Sequence, residues 1–432
     1  MIIASDWVLP ISGAPIRRGA VRVQGSKITA VGTLEGLARA NPTDSIHEHP
    51  ECVIAPGLVN AHTHLSLSSM LGLLPPSDFA TWISQISGPV QRLSHDDFAD
   101  ASAFGALECL RSGITVVGDI AYGPEAPAAA ADTGIGGVFF WEVLGIPAEE
   151  LSETLASHDF PSESGACDGR TLCGISPHAP YTSGPGLIKA AHDYARAWHY
   201  SFAIHVAESL AEARLLAGGE GPLRSTAERL APDFKAPGVG TVRYLEGLGA
   251  LTDTIAVHCV QLMPGEAELL AAHARGVVLC PRSNRYLLNG PPPVAQLRLA
   301  GARLALGTDS LASNDTLDLF AEARELLAVD PELTGERVLR IMTIEGAQVL
   351  GVDRDYGSLE PGKHADIIAV HVGDTDDPVG AFITRGTPAG VRSVITGGIW
   401  RLIDGRMAFL TKEIEQKSAR VAVKAARALN GA

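Results

Sequence analysis

The chain has 432 residues, 46% of them hydrophobic, and a formal charge of −15. That length accommodates one large enzyme domain and a smaller module. The acidity argues against nucleic acid or an anionic membrane surface as a main partner and leaves a small molecule, handled through local charge.

No apolar run is long enough to span a membrane, and Asp6 interrupts the N-terminus before an export segment can form. The six cysteines (Cys52, Cys109, Cys167, Cys173, Cys259 and Cys280) are scattered, with no CxxC pair, and read as reduced small hydrophobes. A cytoplasmic protein is the expectation.

Residues 1–54 predict short strands. VRVQG and SKITAVG alternate apolar and polar positions and break at glycine. Eight apolar runs follow, each leading into a polar loop and then a helical stretch: CVIAPGLV, ITVVGDI, GVFFWEV, TLCGIS, FAIHV, TIAVH, VVLC and RLALG. The intervening HDDFADASAFGALECLRSG and MPGEAELLAAHARG carry helical periodicity and close on glycine. Near-continuous apolar strands alternating with helices imply a parallel sheet covered on both faces, here an α/β chain with a (β/α)₈ barrel over 55–355. ADIIAV, VRSVITGG and IWRLIDGRMA within 356–410 again read as strands, so the two termini should build one small β-sandwich. A last helix, within 411–432 and basic on one face, should pack on the outside.

In such a barrel the chemistry gathers at the C-terminal ends of the strands. His62 and His64 follow the first strand as AHTH, and alternate residues of an extended segment point one way. His205 ends the fifth strand and Asp309 the eighth. Three imidazole nitrogens and a carboxylate suit one Zn²⁺ with a position left open for water, and Fe²⁺ tolerates the same set. An HxH pair is alone a weak signal. The joint placement at three strand ends carries the reading.

Further candidates follow the same placement. Glu208, three residues past His205, is placed to shuttle a proton; alternatively it is an acid favoured by a helix N-terminus. His258 ends the sixth strand and either orients the nucleophile or is a satisfied core histidine. His178, after the fourth strand, is a candidate substrate contact, and with no lysine there to bridge a second ion, a single metal is expected. The other histidines, His158 among them, are assigned no role.

At these residues the chain resembles the amidohydrolase superfamily. APGLVNAHTHL, SPHAPYT, HVAES, VHC, CPRSN and GTDSLASN occur in order, and PGKHADIIAV resembles the segment that re-enters the small sandwich. The resemblance implies that His62, His64, His205 and Asp309 ligate metal, that Glu208 and His258 shuttle the proton and orient the water, and that Asp309 joins in proton transfer. Within the superfamily the chain is similar to the deaminase and chlorohydrolase branch. GTVRYLEGLGAL, CPRSNRYL, GDIAYGPE and FFWEVLG bring it nearest to aminodeoxyfutalosine deaminases, which act in menaquinone biosynthesis.

The implied reaction is deamination of a 6-aminopurine nucleoside with loss of ammonia. The alternatives are an S-adenosylhomocysteine/methylthioadenosine deaminase, a triazine-type chlorohydrolase and, from another class, a non-catalytic assembly protein. Trp82 could stack on a heterocycle or merely anchor its loop, and His178 and Tyr181 could touch a ribose or a carboxylate. Arg282 and Arg285 flank Ser283 and Asn284. One of these arginines could pair with a substrate carboxylate or only brace loops, and Ser283 is placed with the substrate contacts. Relatives of this kind are often homo-oligomers, which is analogy only.

Overall fold

The computed structural model describes residues 1–123, 125–157 and 169–431; Cys167 and His158 lie outside the described residues. Strands β1 (Ile2–Val8), β2 (Ile16–Gln24), β3 (Lys27–Thr33) and β4 (Ile46–Pro56) form the N-terminal part of one sheet. The barrel strands are β5 (Leu58–Thr63), β6 (Ile114–Ala121), β7 (Gly136–Val143), β8 (Thr171–Pro177), β9 (Ser201–Val206), β10 (Ile255–His258), β11 (Gly276–Leu279) and β12 (Leu304–Leu306). Strands β13 (Ile367–His371), β14 (Val391–Thr396), β15 (Ile399–Ile403) and β16 (Arg406–Met407) return to the first sheet.

Both ends of the chain thus build the smaller β module, in the order β16-β15-β14-β13-β4-β1-β2-β3. Hydrogen bonding makes it one continuous sheet, folded back so that Ala365 N–H donates to Ser26 O at 2.9 Å. Ile3, Val21, Ile28, Ile54, Ile367 and Ile395, from strands across that order, share its core.

The eight barrel strands are parallel and ordered as in sequence. Their two faces bury different partners. Val59, Val116, Val138, Phe140, Val257 and Val278 fill the interior with Val349 and Leu350, which close the end opposite the strand C-termini. Leu58, Val117, Phe139, Ile204, Val277 and Leu306 face the surrounding helices. No strand has a wet face, which is why the runs read as unbroken apolar segments. Packing is tight enough that Gly174 makes room for Phe140; a Cβ there would lie 2.4 Å from the ring.

The predicted first run, CVIAPGLV, serves two sheets. Cys52–Pro56 completes β4, and β5 begins at Leu58. Gly57 sits at the crossing, where a Cβ would stand 2.0 Å from Thr115 Oγ1.

The basic C-terminal helix, Lys412–Leu429, lies on the outside. It is held by an Arg111–Glu415 ion pair at 2.6 Å and by Ser69–Ser418 at 2.8 Å. Among the described residues no helix is long and apolar enough to cross a membrane. Four of the described cysteines are buried, Cys173 is half-buried, and all five are free thiols.

Candidate active site

The pairing of β5 with β6 slips between Asn60 and Thr63. Within and just past this irregularity His62 and His64 face His205, with ring centres 5.0 Å and 5.4 Å away. The nitrogens of the three residues lie within 4.8 Å of one another, a group that could hold a metal ion. Asp309 Oδ1 stands 3.5 Å from Nε2 of both His62 and His64, and His64 Nε2 is 3.4 Å from His205 Nε2. Four donors about 2.1 Å from one tetrahedral ion stand about 3.4 Å apart, so these spacings fit such an ion.

The surroundings aim each donor. His205 Nδ1 lies 2.6 Å from the His178 carbonyl, which fixes its proton there and leaves Nε2 with the lone pair. Asp309 Oδ2 accepts from Ser283 Oγ at 2.6 Å and Ser313 Oγ at 2.8 Å, so Oδ1 turns to the imidazoles. His62 Nε2 is buried with no hydrogen-bond partner among the described residues, an orphan that a metal would satisfy. Burial lowers the pKa of His64 to about 3 and those of His178 and His258 to about 4, so all three imidazoles are neutral at neutral pH.

His258 and Asp309 sit at φ 72° and 59°, left-handed values that non-glycine residues adopt at a cost of about 1–3 kcal/mol. His258 is the last residue of β10 and Asp309 lies three residues past β12, so both side chains stand at the barrel mouth. His258 Nδ1 meets Asn284 Oδ1 at 3.1 Å, and its Nε2 lies 3.8 Å from Glu208 Oε1. Glu208 does not cap the following helix. Ser209 does, its hydroxyl accepting from Glu212 N–H, while Glu212 accepts from the backbone N–H of Ala207 and Glu208 at 2.9 Å each. Glu208 is thereby held over the cavity. Burial, with Asp309 and Glu212 nearby, pushes its carboxyl well above the usual range.

These groups form the floor of a cavity of about 620 Å³, within the range of sites that enclose a small organic ligand. One wall is the helix Phe79–Gln91, presenting Ile83, Ser87 and Val90; Leu223, Thr226 and Arg229 form another. Trp82 and His178 both line it, with His178 Nδ1 on Thr182 Oγ1 at 2.7 Å. Trp82 is helical rather than in a loop, and its indole N–H donates to Ala312 O at 2.8 Å, so it anchors the wall that it lines.

Four expectations shift. Tyr181 is absent from the cavity wall and buried among apolar side chains. Ser283 is fully buried and bonded to Asp309, not turned to a ligand. Arg282 pairs with Asp315 and lies 3.8 Å from Glu322, and exposed Arg285 pairs with Glu325 at 2.7 Å. Carboxylates of the chain already hold both guanidinium groups: Arg285 ties the helix Pro281–Tyr286 to the helix Leu319–Val329, and Arg282 ties it to the segment that carries Asp315. Sequence reasoning missed Glu142, Tyr122 and Arg229, all on the cavity wall. Glu142 could have been found, since it ends the third barrel strand as His205 ends the fifth.

A family model described as the amidohydrolase family matches residues 53–401. The chain belongs to the amidohydrolase family. This amidohydrolase is 30% identical to a 5-methylthioadenosine/S-adenosylhomocysteine deaminase of Pelotomaculum thermopropionicum, across 100% of this chain and 99% of the relative. An adenosine deaminase from Xanthomonas campestris, crystallised with bound zinc, is similar at a TM-score of 0.83 and 25% identity, over 98% of each chain. Helicobacter pylori aminofutalosine deaminase shares the fold at a TM-score of 0.79 and 21% identity, over 92% of this chain and 99% of that one.

Proposed function

We propose that this amidohydrolase is a metal-dependent deaminase of 6-aminopurine nucleosides. It would hold one divalent ion, zinc before iron, on His62, His64, His205 and Asp309. The observation that carries the reading is the convergence of these four residues at the base of one cavity, which His64, His205 and Asp309 line with Glu208 and His258. The relatives named as deaminases support the same reading.

A divalent ion bound there supplies water acidified enough to attack at neutral pH. The side chains do the rest. Glu208, kept protonated by burial, gives its proton to a ring nitrogen of the purine and makes the adjacent amino-bearing carbon electrophilic. His258, whose Nδ1 proton is held on Asn284, keeps Nε2 free to accept from the attacking water and hold its oxygen in line. Asp309 takes one of the water's protons and passes it to the departing amine, which leaves as ammonia while the proton of the new hydroxyl returns to Glu208 and the carbon becomes a carbonyl. Ser283 and Ser313 hold its other oxygen fixed meanwhile.

The 5′ substituent is the finer question. The full-length relative is named for methylthioadenosine and S-adenosylhomocysteine, whereas the likeness to the aminofutalosine enzyme is one of fold. Arg229 is the single Arg or Lys on the described cavity wall. It favours a nucleoside whose 5′ extension ends in a carboxylate, as in S-adenosylhomocysteine or aminodeoxyfutalosine, over methylthioadenosine.

The test is ammonia release from the zinc-loaded protein across those three compounds, adenosine and a chlorotriazine. Turnover of the carboxylated nucleosides supports the reading. Chloride release from the triazine with no nucleoside turnover would overturn it.

A further inference from the structure

Glu142, the penultimate residue of β7, lines the cavity beside Tyr122 and His178. The Tyr122 phenol neighbours this carboxyl. One carboxyl oxygen, Oε1, is buried and has no hydrogen-bond partner among the described residues. A buried acceptor in that state is costly unless something that enters the cavity completes it.

A second metal ion does not answer the need. Glu142 stands within 4.8 Å of ligating atoms of His178 and His205. However, His205 has one nitrogen on the His178 carbonyl, and the other already faces His64. One lone pair cannot serve two ions.

A hydrogen-bond donor of the substrate would meet the need. A 6-aminopurine nucleoside has two kinds: the exocyclic amine, which leaves from the reacting carbon, and the hydroxyls of its sugar. Only the hydroxyls remain available away from that centre. We propose that Glu142, oriented by Tyr122, is the acceptor that recognises the ribose hydroxyls of the substrate. This makes β7 a specificity-determining strand. The inference rests on the deaminase reading above.

Adenosine, 2′-deoxyadenosine, 3′-deoxyadenosine and 2′,3′-dideoxyadenosine test it. In the wild type, loss of the recognised hydroxyl should lower kcat/KM about tenfold to a hundredfold, chiefly through KM, because it strands a buried carboxylate. In Glu142→Leu and Glu142→Gln that preference should shrink to a few-fold, with the riboside losing most. Tyr122→Phe should show a partial loss, as befits a positioning residue.

Calorimetric binding of the products, inosine against 2′,3′-dideoxyinosine, gives the same comparison without turnover, and melting temperatures check that each variant folds. A wild type indifferent to the missing hydroxyls, or a Glu142→Leu protein that keeps the preference, overturns the inference while leaving the deaminase reading intact. A protein that neither binds nor deaminates any of these nucleosides overturns both.

Discussion

Asn60 and Thr308 clasp each other across the seam of the barrel. The Asn60 side-chain amide donates to Thr308 Oγ1 at 2.7 Å, and its carbonyl accepts the Thr308 N–H at 3.0 Å. Both residues are fully buried. One sits on the strand that leads into His62 and His64, the other beside Asp309, so the clasp sets the spacing between the first and last of the proposed ligands. Asn60→Ala leaves a dry N–H without an acceptor and should cost about 1–3 kcal/mol. Chemical denaturation and metal analysis should show a lowered midpoint and weakened metal retention; unchanged values for both would show that the seam holds without the clasp.

Removing single donors tests the metal site directly. His64→Ala and Asp309→Ala should each reduce the metal content well below one ion per chain and abolish ammonia release. His178→Ala, which keeps the carbonyl that bonds His205, should keep the ion. Equal metal content in the wild type and all three variants would show that the converging donors are not its ligands.

Trp82→Phe keeps an aromatic surface toward the cavity but removes the indole N–H bound to Ala312. The loss should be about 0.5–1.5 kcal/mol of stability. KM should rise several-fold with kcat little changed, since this side chain shapes the wall and does not touch the proposed proton path. A large drop in kcat at unchanged KM would place it in the chemistry instead.

The arginines give opposed expectations. Arg282→Met removes the cation beside buried Glu322 and should destabilise the fold, yet leave KM for S-adenosylhomocysteine near the wild-type value. Arg229→Met should leave stability unchanged and raise that KM about tenfold, with methylthioadenosine unaffected. Steady-state kinetics on the two nucleosides separates these roles.

Asp119 carries a pH dependence. Its Oδ1 accepts the Leu65 N–H at 2.7 Å, directly after His64, and burial pushes its pKa up to about 7. The folded state therefore holds a proton that the unfolded chain releases near pH 4. Its contribution is most favourable in acid and is lost as the pH rises from about 4 through 7. Asp119→Asn, which keeps an acceptor for Leu65, should gain on the wild type across this window by up to about 1.4 kcal/mol per pH unit. Denaturation midpoints at several pH values measure this, and a difference that stays flat contradicts it.

Much of the site is legible along the chain. His205 and His258 close apolar runs whose strand character is plain, and the (β/α)₈ rule puts strand ends on one rim, so distant residues could be brought together on paper. The pairing slip after Asn60 that turns His62 and His64 toward His205 has no sequence signature. There the segment after the last strand docks its backbone on the first strand, Asp309 N–H meeting His62 O at 3.1 Å.

Tyr181 and Ser283 lie in the motifs that carry the resemblance, yet one is core and the other holds Asp309. Sequence adjacency to a ligand does not say which way a side chain points. Glu142 was readable by the same strand-end logic but lacked an imidazole to draw notice.

The sequence by itself determined the barrel, the smaller β module made from both ends, and the identity of the converging donors, because hydrophobic periodicity and strand-end position are local properties. The tertiary structure alone decided which arginine faces the cavity, which polar groups hold the ligands, and that one carboxylate oxygen waits for a partner. Those outcomes depend on contacts between segments far apart in the chain, where burial and competing charges settle each side chain's partner.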